Sequence, residues 1–184
     1  MGKISDPGST RLRNGRRVAK NHPLICVGGE LDELSSILGA ALAALGRGPG
    51  FDRLGGRLRE IQSVLLEAGC ALSGPAPKKS EGRLEMTTRA LEISITELAR
   101  DLPPLRCFIL PGGSSAGAWL HLARAVCRRA ERAAAGLPRT AAVLKLILFL
   151  NRLSGWLFCA ARRVNAAQRR PEPLWPVVLG RKRR

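Results

Sequence analysis

Leucine, isoleucine and alanine recur along the chain at intervals of three and four, in stretches separated by Gly/Pro-rich breaks. The first predicted helix covers about residues 30–46, with Leu31, Leu34, Leu38, Ala41, Leu42 and Leu45 on one stripe. Gly46-Arg47-Gly48-Pro49-Gly50 stops it. The second, about 51–73, aligns Leu54, Leu58, Ile61, Leu65, Ala68 and Leu72, and a linker, Ser73-Gly74-Pro75-Ala76-Pro77, follows. The third, about 81–101, uses Leu84, Leu91, Ile95 and Leu98 and ends before Pro103-Pro104. An irregular apolar segment, Phe108 to Gly113, then leads to Ser114 or Ser115 as a helix cap. The fourth helix is expected over about 115–136 and the fifth over about 140–168. Four or five helices of similar length, short connections and no convincing strand predict an all-α, up-and-down helical bundle.

Composition bounds the partners. At 45% hydrophobic over 184 residues the chain can bury a core, which excludes a disordered basic tail. Its formal charge is +17, of which residues 102–184 carry +14 and residues 30–101 carry −2. Arginine outnumbers lysine 25 to 6, a bias toward bidentate phosphate or carboxylate contacts. There is no Tyr, and three Trp and four Phe are too few for a surface that stacks successive nucleic-acid bases. The five cysteines show no CxxC spacing, which argues against zinc and for a reduced, cytoplasmic protein. Residues 141–161 are apolar enough to raise a membrane span. Lys145, Asn151, Arg152 and Ser154 interrupt them, so a buried bundle helix is the better reading.

Three features carry chemistry. On the fourth helix Trp119, Ala123, Val126, Cys127, Ala130 and Ala134 share an apolar sector. His121, Arg124, Arg128, Glu131 and Arg132 fall opposite. Arg124, Arg128 and Arg132 stand at i, i+4 and i+8 with one nearby acid, which reads either as a solvated face or as an anion-binding rail. Asn151, inside an apolar run, is either a structural amide bonded to a neighbouring helix or a ligand contact. The N-terminal segment Lys3 to Thr10, with Lys20 beyond, mixes hydroxyls, Gly and cations as phosphate-wrapping loops do, yet is not a Walker A loop.

The ordered set Lys3…Asp6-x-Gly8-x-Thr10, Arg17-Val18-Ala19-Lys20, Asp32-Glu33-Leu34-Ser35-Ser36, Phe108-Ile109-Leu110-Pro111-Gly112-Gly113, His121-x-x-Arg124-x-x-Cys127-Arg128-Arg129-Ala130-Glu131-Arg132 and Leu150-Asn151-Arg152-Leu153-Ser154 resembles the ATP:cob(I)alamin adenosyltransferases of the propanediol-utilisation type. The likeness spans about residues 2–165. It implies a five-helix bundle, ferritin-like in architecture, assembled as a homotrimer with active sites between subunits. The implied reaction moves the 5′-deoxyadenosyl group of ATP to the cobalt of a reduced corrinoid, with Mg²⁺ accompanying ATP and triphosphate leaving. Carried over by motif position, Lys3, Ser5, Thr10, Lys20, Arg128, Glu131, Arg132 and Asn151 would contact ATP. Asp32 would pair with Arg124 across subunits, and Phe108 would pack near the lower face of the corrinoid.

Under the resemblance the chain divides into a nucleotide-binding segment at 1–29, a bundle domain at 30–168 and a basic tail at 169–184. A cobalamin-dependent mutase or dehydratase would receive the product; no membrane and no nucleic acid is implied, and no metal site on the protein. Three places depart from the family pattern. Ser5 stands in place of a glycine, Gly28-Gly29-Glu30 in place of Tyr-Gly-Thr, and Gly155 in place of the aspartate after Leu-Ser. They leave a catalytically weakened corrinoid-binding or carrier member of the family as one alternative; the net charge of +17 leaves a basic nucleic-acid-binding bundle as another.

Overall fold

The computed structural model describes residues 8–74, 82–100, 102–105 and 107–178. A short hairpin, β1 (Ser9–Arg11) with β2 (Arg17–Ala19), precedes the helices α1 (Pro23–Ala44), α2 (Pro49–Ser73) and α3 (Arg83–Arg100). β3 (Cys107–Ile109), α4 (Ser115–Ala135), α5 (Ala141–Ala167) and β4 (Leu174–Val178) complete the order.

Caps explain the boundaries better than the leucine stripes do. The Nδ1 of His22 accepts from Leu24 N at 3.2 Å and Pro23 supplies a helical φ, so α1 begins well before the predicted residue 30. Its start lies inside the segment assigned to 1–29. Ser114 Oγ accepts from Gly117 N at 3.0 Å, and Thr140 Oγ1 from Val143 N at 3.3 Å, fixing the starts of α4 and α5 close to expectation.

Consecutive helices run antiparallel, as predicted for the bundle. Gln62 Nε2 on α2 donates to Ser35 O on α1 at 2.9 Å. In space α4 lies between α1 and α5, and α3 lies along the far side of α5. The α3–α5 contact is parallel, with Glu85 joined to Lys145 and Glu92 to Arg152. Leu34, Leu38, Leu58, Ile61, Leu91, Leu120, Leu146, Phe149, Leu150 and Trp156 fill one core. α5 is long and apolar enough to cross a membrane by length and composition. Here its apolar face is spent on α3 and α4, in line with the bundle reading.

Two expectations need correction. Strands do occur, as three- to five-residue pieces too short to leave a period-two pattern. The stretch from 169 is also not simply a tail, because β4 pairs antiparallel with β3, setting Phe108 opposite Trp175 and Ile109 opposite Leu174. Arg181–Arg184, with Lys3 and Ser5, lie outside the described residues.

Candidate active site

The outward face of α4 orders the candidate residues along one line. Arg124, Arg128 and Arg132 are one helical turn apart, so the three guanidinium stems span about 12 Å of helix. Arg128 and Arg132 are exposed and make no ion pair or hydrogen bond among the described residues. Their neighbour Arg129 behaves differently. Its Nε donates to Glu30 Oε2 at 2.6 Å and its Nη2 to Glu33, pinning α4 to α1. One arginine in that run is therefore a strut, while the flanking ones are left available to an external anion.

Arg124 is half-buried, and its guanidinium carbon lies 5.4 Å from the Phe158 ring centroid. Burial and the charge of Arg128 both lower its pKa from the ordinary value. An anion bound between Arg124 and Arg128 would relieve the repulsion between them. Next along α5, Asn151 Nδ2 donates to Glu131 Oε1 at 2.9 Å, and Asn151 Oδ1 accepts from Arg152 at 3.2 Å. Asn151 is exposed, so the argument from a buried amide does not apply to it. It does reach a neighbouring helix, and it stays open to solvent beside the arginines.

The buried amide is Asn165. Fully enclosed, its Oδ1 accepts from Ser114 N and Ser114 Oγ at 2.9 Å each, and its Nδ2 donates to Gly112 O at 2.9 Å. It clamps the Gly112–Ser114 turn to α5. Gly113 and Gly117 leave room for it, since a β-carbon at either would overlap the Asn165 amide. The turn carries β3, and Phe108 on β3 is 49% exposed, with its ring centroid 6.0 Å from that of Trp175. Phe108, Leu110, Leu174 and Trp175 thus form an apolar surface at the α4 N-terminal end of the bundle.

Between this surface and the rail lies a buried polar knot. Arg162 Nε pairs with Glu172 Oε2 at 3.0 Å and its Nη2 donates to Pro103 O at 2.8 Å. His121, placed on the polar side by periodicity, is in fact buried with its ring edge toward Phe158 at 6.1 Å. Desolvation lowers its pKa, partly offset by Glu172. Trp119, placed in the apolar sector, is 39% exposed.

The remaining candidates sit elsewhere on this chain. Thr10 is half-buried in β1 opposite Val18, and Lys20 follows β2, exposed, its N–H donating to Gly8 O at 3.1 Å. No hydrogen bond or ion pair joins either to the α4 arginines among the described residues. Asp32 is exposed on α1, its carbonyl accepts from Ser36 Oγ at 3.0 Å, and its carboxylate makes no ion pair among the described residues. It does not meet Arg124 within one chain. Phe158, Trp175, Asn165 and Arg129 were not singled out from sequence, although Asn165, an amide in the same apolar helix, satisfied the test applied to Asn151. Among the described residues no three His, Cys, Asp or Glu side chains are grouped to hold a metal ion.

The family model for cobalamin adenosyltransferase matches residues 2–164. The corrinoid adenosyltransferase of Bacillus subtilis is 39% identical over 89% of this chain and 85% of its own length. That of Bos taurus is 36% identical over 94% of this chain and 74% of its own. A variant of the PduO-type ATP:corrinoid adenosyltransferase from Lactobacillus reuteri, solved in complex with cobalamin and ATP, superposes with a TM-score of 0.84 at 32% identity. The overlap covers 96% of this chain and 99% of that one. With one arginine rail, one apolar end and this degree of likeness, the chain belongs to the cobalamin adenosyltransferase family, PduO type.

Proposed function

We infer that this protein transfers the 5′-deoxyadenosyl group of ATP to the cobalt of a reduced corrinoid. The C5′–O bond of ATP breaks as the cobalt–carbon bond forms, and triphosphate leaves. The observation that carries the reading is the division of the α4 face, with unneutralised Arg128 and Arg132 toward one end and the Phe108–Trp175 surface at the other. Reduced cobalt is itself the nucleophile, so the absence of a Ser, Cys or His nucleophile from the proposed chemistry is what the reaction requires. The chain's task is to hold two substrates in line and to stabilise charge growing on the leaving triphosphate.

Arg128 and Arg132 would take phosphate oxygens, with Asn151 and Glu131 fixing the polar end of the nucleotide. Phe108 would face the corrinoid. Lys3, Ser5, Thr10 and Lys20 would complete the nucleotide contacts from an adjoining subunit, since Thr10 and Lys20 stand apart from the rail in one chain. Mg²⁺ would travel with the ATP phosphates, because the described residues offer no carboxylate cluster of their own for it.

A homotrimer fits three features. Among the described residues Asp32 has no cation partner and Arg124 no anion partner; Asp32 is exposed, and Arg124 lies half-buried over the Phe158 ring. Trp119 and Leu122 also leave apolar area exposed on α4. All five cysteines are free, consistent with a reduced cytoplasmic setting. The product would pass to a cobalamin-dependent mutase or dehydratase.

Absorbance of chemically reduced cobalamin mixed with ATP, Mg²⁺ and protein tests the assignment. The adenosylated spectrum should develop with the native protein and slow by at least about a hundredfold with Arg128→Ala, as when an oriented charge stabiliser is removed. An unchanged rate in that variant would remove the rail from the mechanism.

A further inference from the structure

The candidate active face uses α1, α4 and one side of α5. On the opposite side α2 and α3 barely touch. Near the end that also carries β3 and β4, their seam opens into a cleft of about 850 Å³. That volume falls within the range of small-molecule sites, whereas a seam between packed helices normally closes on itself.

The floor is apolar, built from Leu54, Leu98, Trp156 and Val164. Trp156 is 1% exposed and its Nε1 donates to Ser94 Oγ at 3.0 Å, so the ring is held in the floor and does not swing out to fill the space. The rim is cationic, with Arg47, Arg53, Arg57 and Arg163 against Glu60 and Glu97. Arg57 is neutralised by Glu60 at 2.6 Å. Arg47 and Arg53 make no ion pair among the described residues. An apolar bed beneath uncommitted guanidinium groups matches a ligand with one anionic head and a hydrocarbon body. α5 is the shared wall: Trp156 and Val164 face the cleft, while Phe158 and Asn165 face the candidate active site.

We propose that the cleft between α2, α3 and α5 is a second binding site, separate from the ATP and corrinoid face, for an amphipathic anion such as a long-chain carboxylate. The basic C-terminal residues are excluded as its occupant by like charge. The proposal does not rest on adenosyl transfer, and its test uses no corrinoid.

The full chain is titrated with 8-anilinonaphthalene-1-sulfonate, followed by fluorescence, and then with dodecanoate as competitor. One saturable site per chain is expected, with dodecanoate displacing the dye and ATP leaving it bound. The double variant Arg47→Glu/Arg53→Glu should weaken both ligands by about tenfold or more, the scale of losing charge-assisted contacts. Both positions are exposed, so folding is retained. Ala167→Trp, at the exposed mouth, should block the dye with native circular dichroism. Arg128→Ala should bind the dye as the native chain does. Absence of saturable binding, unchanged affinity in the charge-reversed variant, displacement by ATP, or equal competition from dodecyltrimethylammonium would each overturn the proposal.

Discussion

Arg128 and Arg129 are adjacent and chemically identical, yet Arg129 is tied to two glutamates and Arg128 to none of the described residues. The difference is legible only partly in the sequence. Periodicity puts Arg128 in line with Arg124 and Arg132, but the partners of Arg129 lie on α1, almost a hundred residues away in sequence. The asparagines show the same limit. Local composition marks any amide in an apolar helix as needing partners, and which of Asn151 and Asn165 is enclosed depends on the β3–α4 turn packed over the end of α5. Replacing Asn165 by Ala strands the Ser114 amide and the Gly112 carbonyl in a buried position. A loss of about 2–4 kcal/mol is expected, measured by urea unfolding, because buried groups left unpaired cost more than a net hydrogen bond is worth. A loss below about 0.5 kcal/mol, the level of an ordinary surface change, would mean the turn is not held by this amide.

At the scale of elements, the helices were readable because each supplies several turns of one apolar stripe. The strands were not, since three residues contain too few alternations to register. α1 starts earlier than its stripe indicates because Gly28 and Gly29 blur the pattern there, while the His22–Pro23 cap decides the boundary. α5 contains a glycine where the family pattern has an aspartate. Gly155 is half-buried, and a β-carbon there would meet Ile95 Cδ1 at 3.6 Å, an ordinary contact. Gly155→Ala should therefore stabilise the fold by about 0.5–1 kcal/mol, seen as a higher urea midpoint at unchanged m-value. Destabilisation instead would show that α3 and α5 pack too closely there for a methyl group.

At the scale of the whole molecule, the excess of arginine narrows the partner to an anion, and position decides which one. In the proposed homotrimer, the nucleotide contacts that stand apart from the rail in one chain come from a second. The proposed intersubunit Asp32–Arg124 pair predicts that Asp32→Asn lowers activity sharply, since leaving one charge of a desolvated pair unmatched costs about 3–5 kcal/mol. Asp32→Arg combined with Arg124→Asp should restore part of it, with trimer formation followed by sedimentation. A folded double variant with no recovery would contradict the pairing. The central claim is the chemistry itself, and product identity tests it most directly. Native protein, ATP, Mg²⁺ and reduced cobalamin are incubated together, and adenosylcobalamin and inorganic triphosphate are quantified by absorbance and phosphorus NMR. Equal amounts of the two products are predicted; cobalamin bound without adenosylation, or diphosphate appearing in place of triphosphate, would contradict the account.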